Sequence, residues 1–214
     1  IDQIELLQPV VIALRKAGAI GTADSSLAAF GVHINAEIPN LNPDYILRYL
    51  QAFGLLQWWL VKSLEVDLSR KMSPFIDLYP PAYVKHLLSL SRLNIDQIFD
   101  DYLEYNPTRN RALDLLPLLA YINMDRVKAR VKDAKIKPRP TFHYRLPNSQ
   151  IEEKDWSLSS AWNSWWLVEQ LAAQPPLLNE LIQAFFRLQR PLIGISRKTW
   201  IEFMDSWLKD QEWV

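Results

Sequence analysis

Cysteine is absent from the chain, which excludes disulfides, thiolate metal sites and a cysteine nucleophile. That fits a reducing compartment, and a cytoplasmic location is the expectation. Glycine is scarce, with five residues among 214, so a Gly-rich phosphate loop is hard to build. Neither a Walker signature nor a Gly-x-Ser-x-Gly nucleophile motif is present. Nucleotide phosphates would have to be held by side chains. Excess charge is also missing, because 24 Lys and Arg balance 24 Asp and Glu. A general polyanion binder is therefore not expected, nor nucleic acid as a partner, although a local patch remains open. The most apolar stretch, residues 44–67, is interrupted by Gln51, Gln57 and Lys62, whereas a membrane span needs about 20 predominantly apolar residues. It reads as a buried core helix, and no membrane association is expected. The opening residues lack a basic leader and are punctuated by Asp2, Glu5 and Gln8, so no signal peptide is read. With Ile1 first and a capping signature immediately after it, the chain is taken as part of a longer protein. There is no internal repeat and no low-complexity tract.

Two short alternating segments stand out. In residues 141–146, Thr141, His143 and Arg145 fall on one face of an extended strand, and Phe142, Tyr144 and Leu146 on the other. A strand packed on a core usually turns ordinary solubilising residues outward. This one turns out an imidazole and a guanidinium, groups suited to holding anions or metals. Residues 30–38 behave similarly: His33, Asn35 and Glu37 share one face, opposed by Val32, Ile34, Ala36 and Ile38. The expectation is that both strands lie in one sheet and pool their polar faces into a site.

Elsewhere helices dominate. Residues 2–17 read as a helix with Asp2 and Glu5 in capping-box spacing, kinked at or beginning near Pro9. A long helix follows over 44–67, and 70–81 is a loop with three prolines. Helices are then expected over 82–90, 95–105 and 109–122, the last containing Pro117 and allowing an Arg111 to Asp114 pair on one face. Further helices are expected over 156–173, 177–189 and 197–213. Trp162, Trp165, Trp166, Trp200 and Trp207 fall at helical spacings and read as packing between helices. Eight basic residues against a single acidic one, Asp133, give 126–145 the strongest local charge bias.

Taken on residue types alone, His33, Glu37 and His143 are candidate metal ligands, and Arg139 and Arg145 candidate anion clamps. Histidine with carboxylate suits manganese, iron or zinc, while magnesium prefers oxygen ligands.

The segments GVHIN and PTFHYRLPN, with NPTRNRALDLLPL between them, resemble the amidoligase family of the glutamine synthetase and glutamate-cysteine ligase superfamily. That family has a strand of the type Gly-x-His-x-His, a helix of the type Arg-x-x-x-Leu-Asn-Leu and a strand of the type Thr-x-Glu-x-Arg. The resemblance covers residues 1–170. It implies a carboxylate–amine ligase that uses ATP and Mg2+ or Mn2+, in which ATP phosphorylates the carboxylate and the amine then displaces phosphate. It also implies that His33 serves metal or phosphate, that Arg145 holds phosphate or substrate carboxylate, and that Arg111 is the arginine of the helix motif. Arg145 and Arg111 are then the candidate catalytic residues; Arg109, Arg139 and Arg145 are the candidates for ATP. This chain departs from the pattern with Asn35 at the second histidine and Asp114 at the helix asparagine. His143 stands where the family has a metal-binding glutamate, which removes one negative charge from the metal cage. Glu37 is placed to compensate. The family's Glu-x-Glu strand would precede Ile1.

The expected architecture is an α+β domain, helix-rich, with a curved antiparallel sheet of the glutamine synthetase-like catalytic type over 1–170 that lacks its first strands. A helical extension, 171–214, packs on it. The expected function is amide ligation on a small amino or carboxylic acid or a peptide. The alternative is a non-catalytic relative that binds a ligand or protein, and a homo-oligomer is left open.

Overall fold

The fold is carried by one helix that is buried around most of its circumference. In this computed structural model, which describes residues 3–22, 31–66, 76–190 and 194–214, that helix is α2, Pro43–Ser63. Before it come a short 3-10 turn at Ile4–Leu7, helix α1, Gln8–Lys16, and strand β1, Ile34–Glu37. After it come α3, Pro81–Ser89; α4, Ile95–Tyr105; β2, Leu113–Asp114; α5, Leu116–Arg130; and β3, Thr141–Tyr144. The chain closes with α6, Leu158–Ala173; α7, Pro175–Arg187; and α8, Arg197–Asp210. No described helix is long and apolar enough to cross a membrane.

Helix starts follow the sequence chemistry. Asn42, Asn94, Ser157 and Ser196 cap α2, α4, α6 and α8 through their side chains, each satisfying a backbone N–H that a helix leaves without a partner. Pro9 sits in the first turn of α1, where its missing N–H costs nothing. The α-helix therefore begins beside Pro9 and is not kinked by it. Gly18 follows α1 with φ +82°, and Ala19 N–H returns to the Leu14 carbonyl at 3.0 Å, closing the helix as an αL glycine does.

Helix α2 packs on α3, α6, α7 and α8, within one hydrophobic cluster that also takes in the sheet. Two of the residues that interrupt its apolar run are buried and satisfied. Gln57 Oε1 accepts from Tyr79 N–H at 2.8 Å, just before α3. Gln51 Nε2 donates to the carbonyls of Leu87 and Leu90 at 2.9 Å, at the other end of α3. The two glutamines thus fasten both ends of α3 to α2. Lys62 is exposed.

The sheet is antiparallel in the order β1-β3-β2. β3 is its centre, pairing with β1 as Ile34↔Tyr144, Asn35↔His143, Ala36↔Phe142 and Glu37↔Thr141. Its apolar face lies on α2 and α6: Phe142 stacks on Tyr49 at 4.8 Å, and Tyr144 lies 5.5 Å from Trp165. The two alternating segments therefore share one sheet, as their patterns predict. A helix-rich α+β chain with a small antiparallel sheet is what the structure shows.

One helix is corrected. Residues 109–112 are not helical; 113–114 form β2, and α5 starts only at Leu116. The reason is Pro117, which is tolerated in a first turn but not in a helix interior. Freed from helix, Arg111 bridges to Asp77 and the Ala112 carbonyl accepts Arg145 N–H at 2.9 Å. Helix α5 is itself broken at Asn123 (φ −154°, ψ 93°), whose side chain recaps the second half by accepting Arg126 N–H at 3.0 Å. Asp2, Phe30 of the expected strand, Asp67 of the expected long helix and residues 70–75 of the expected loop lie outside the described residues.

Replacing Gln57 with Leu keeps the volume and removes the acceptor for a buried N–H. The expected loss is about 1–3 kcal/mol, read as a lower urea midpoint with unchanged slope. An unchanged midpoint would show that the Gln57 to Tyr79 contact contributes nothing.

Candidate functional site

Because side chains alternate along a strand, the sheet face turned away from α2 carries the polar set. Across its middle row stand Asn35, His143 and Asp114, one from each strand. Glu37 faces Thr141 at one end. At the other end lie His33 and Arg145, next to a change of register. Between Ile34↔Tyr144 and Gly31↔Asn148 the chain advances three residues on the β1 side and four on the β3 side. An extra residue of this kind makes a bulge, which bends a strand and re-aims its side chains. Here it falls beside Arg145.

Exposure is graded across the face. His33, Asn35 and Glu37 on the β1 side are exposed, His143 in the middle is partly buried, and Asp114 and Arg145 are buried. Arg145 Nη2 donates to Asp114 Oδ2 at 2.6 Å. Asp114 Oδ1 also accepts Leu116 N–H at 3.0 Å, so the carboxylate joins β3 to the start of α5. Burial pushes the Asp114 carboxyl up to about 6, against the lowering effect of Arg145. It remains ionised at neutral pH, as the ion pair requires.

His143 is held neutral. Burial first, then the positive charges of Arg145, Arg139, His33 and Arg109, lower its imidazole to about 4. Its Nε2 is buried and has no hydrogen-bond partner among the described residues. Arg139 is placed by its backbone, whose N–H reaches the Pro117 carbonyl at 3.0 Å, and its side chain is exposed. Arg109 lies 3.6 Å from Asp133. Arg139, Arg145 and Arg109 thus all act electrostatically on one imidazole.

Two expected groupings are not what the structure brings together. The Arg111 to Asp114 pair does not form, because the segment is extended and not helical. Arg111 donates instead to the carbonyls of Leu78 at 3.0 Å and Tyr105 at 3.2 Å, and Asp114 pairs with Arg145. Among the described residues no three His, Asp or Glu side chains form a group able to hold a metal ion. His33, Glu37 and His143 share the face but occupy different rows of it. Sequence reasoning gave Asp114 the wrong partner, Arg111, and missed Arg145; the signal of a buried role was a lone acid inside the apolar run ALDLLPLL.

Three cavities elsewhere are lined by α2 with α6, by α2 with residues 76–78, and by α3 with α7. None includes a residue of the polar face. The charged groups gather on the face instead, where Arg145 pairs with Asp114 and the charges of Arg145, Arg139 and Arg109 bear on the His143 imidazole.

A family model described as "Putative amidoligase enzyme" matches residues 1–167. No curated protein and no solved structure matches the chain.

The His143 ring should titrate near pH 4, followed through its C–H shifts in NMR; a midpoint at or above 6 would contradict the description of its surroundings. The sign of its linkage follows. Between the ordinary value of 6.5 and about 4, the unfolded chain takes up a proton that the native imidazole refuses, so acidification costs stability. Asp114 acts oppositely, since its native carboxyl protonates first, below about 6. His143→Gln removes the His143 contribution, so stability relative to the parent should rise as pH falls from 6.5 towards 4.

Proposed function

The chain belongs to the amidoligase family, and on that premise we propose that it is an ATP-dependent carboxylate–amine ligase whose polar sheet face holds the anionic groups of the reaction. The observation that carries this reading is the polar face itself, where Asn35, His143 and Asp114 form one row and the buried Arg145 is paired with Asp114 beside it; the positive charges of Arg145, Arg139 and Arg109 bear on His143. Such a face favours phosphate and carboxylate oxygens, with charge-assisted hydrogen bonds from planar guanidinium forks.

Each residue has a distinct part in the proposal. Arg145, buried and tied to Asp114, presents a fixed guanidinium edge at the bulge. Arg139, exposed on the approach to β3, and Arg109, at the start of the segment leading into β2, supply positive charge around the phosphates. His143 offers a buried nitrogen that can accept or donate one hydrogen bond without adding charge. ATP, when bound, supplies the phosphoryl group that turns the carboxylate oxygen into a leaving group. Arg111, with its guanidinium on two main-chain carbonyls, supports the segment that carries Arg109 and Asp114. The substrate is a small amino or carboxylic acid or a peptide terminus, and the sheet is of the glutamine synthetase-like kind.

The described residues do not fit Mg2+ or Mn2+ in the same way. His33, Glu37 and His143 form no ligand group, and the cations around His143 repel a further one. This same observation favours the second reading, a non-catalytic relative that retains an anion-binding face.

Titration calorimetry with ATP decides the role of the face. Arg139→Ala should weaken ATP binding about tenfold, the scale of one charge-assisted contact, while circular dichroism stays unchanged. Equal affinity in Arg139→Ala and Arg109→Ala would move the phosphate site off this face.

A further inference from the structure

We propose that the cleft between the C-terminal half of α2, helix α6 and Trp213 is a second binding site, and that it takes a neutral saccharide. Its volume is about 480 Å³, within the roughly 300–1,000 Å³ of small-molecule sites. None of its lining side chains, Val214 included, is charged, so the side chains offer a charged ligand no counter-charge for the hydration it would lose there.

The lining divides into two kinds of surface. Trp166 and Trp213 meet at 6.1 Å with their rings inclined at 68°, which forms an aromatic corner. Trp213 is held from behind by Trp207, 5.5 Å away and nearly perpendicular, so the corner is braced. Trp166 nevertheless keeps 37% of its surface exposed, a large apolar area to leave in water next to a cleft. Opposite kinds of group share the lining: the hydroxyls of Ser63 and Ser160 and the amide of Asn163. All three residues are exposed. A purely apolar ligand would strip water from these groups and give nothing back. A pyranose ring has an apolar C–H face for the indoles and a rim of hydroxyls for Ser and Asn, so it satisfies both surfaces at once.

The cleft is not a loose surface feature. Its inner wall includes Ser164, whose hydroxyl donates to the Ala161 carbonyl at 2.7 Å and accepts from Tyr144 at 3.0 Å. Helix α6 is thereby pinned to the apolar face of β3, and the cleft walls are set by the core.

The test follows the nine indole N–H resonances of the full chain by 15N NMR while maltose, cellobiose or lactose is added. Trp166→Phe and Trp213→Phe assign the two relevant signals. The expected result is a saturable shift of those two with at least one disaccharide, half-complete at about 1–10 mM, the weak end of the affinity scale. Ser160→Tyr, which fills the cleft from an exposed position, should remove the shift while leaving the other indole signals in place. Three results would overturn the proposal: no saturable shift with any of the three sugars, shifts spread over all indoles, or saturation by adenosine and not by sugar.

Discussion

Everything that positions the candidate site depends on β3 being paired on both sides. A strand hydrogen-bonded to β1 and β2 cannot rotate about its own axis, so its alternation is fixed. Phe142 and Tyr144 must enter the aromatic core on α2 and α6, with Leu146 buried beyond them. His143 and Arg145 must then face the other way. A one-residue slip would bury the imidazole against Tyr49 and Trp165 and expose the aromatics. The burial of Phe142 and Tyr144, about 1.5–3 kcal/mol for each large side chain, is what holds the polar face in register.

The Asp114 to Arg145 pair adds a second constraint from the opposite side. Both groups are taken from water, which costs several kcal/mol per ion before their attraction is counted. Loss of either partner would leave a buried charge uncompensated. The pair is weak evidence for stability and better evidence for placement, since it fixes one guanidinium of the face relative to β2 and to the start of α5. Arg139 and Arg109, nearer to solvent, have no such buried clamp and are the adaptable part of the same charge field.

The parts legible in the sequence were those with a local period. Alternation in 30–38 and 141–146 announced two strands of one sheet, and helical spacing announced α2 and the C-terminal helices, where Trp165, Trp200 and Trp207 are buried. The caps Asn42, Asn94, Ser157 and Ser196 stand in the sequence too, but that reading did not use them. β2 was not legible, because two residues have no period and the apolar run around them suits a helix equally well. Pro117 alone could have placed the helix start after them. The partner of Arg145 was also hidden. Thirty-one positions separate it from Asp114, and only the strand order β1-β3-β2 makes them neighbours. The break at Asn123 was hidden for the opposite reason: it is local, but Asn is tolerated both in a helix and at a cap.

Membership of the amidoligase family and a cation-lined face around a neutral imidazole lead to one central claim, that this chain activates a carboxylate. Hydroxylamine trapping tests it most directly, because hydroxylamine intercepts an activated carboxylate whatever the natural amine is. The chain would be incubated with ATP, hydroxylamine and a mixture of amino acids and short peptides, and hydroxamate would be measured. The account predicts hydroxamate that requires ATP and disappears in Arg145→Ala. ATP bound by the chain with no hydroxamate from any carboxylate would contradict it and leave an anion-binding relative without catalysis.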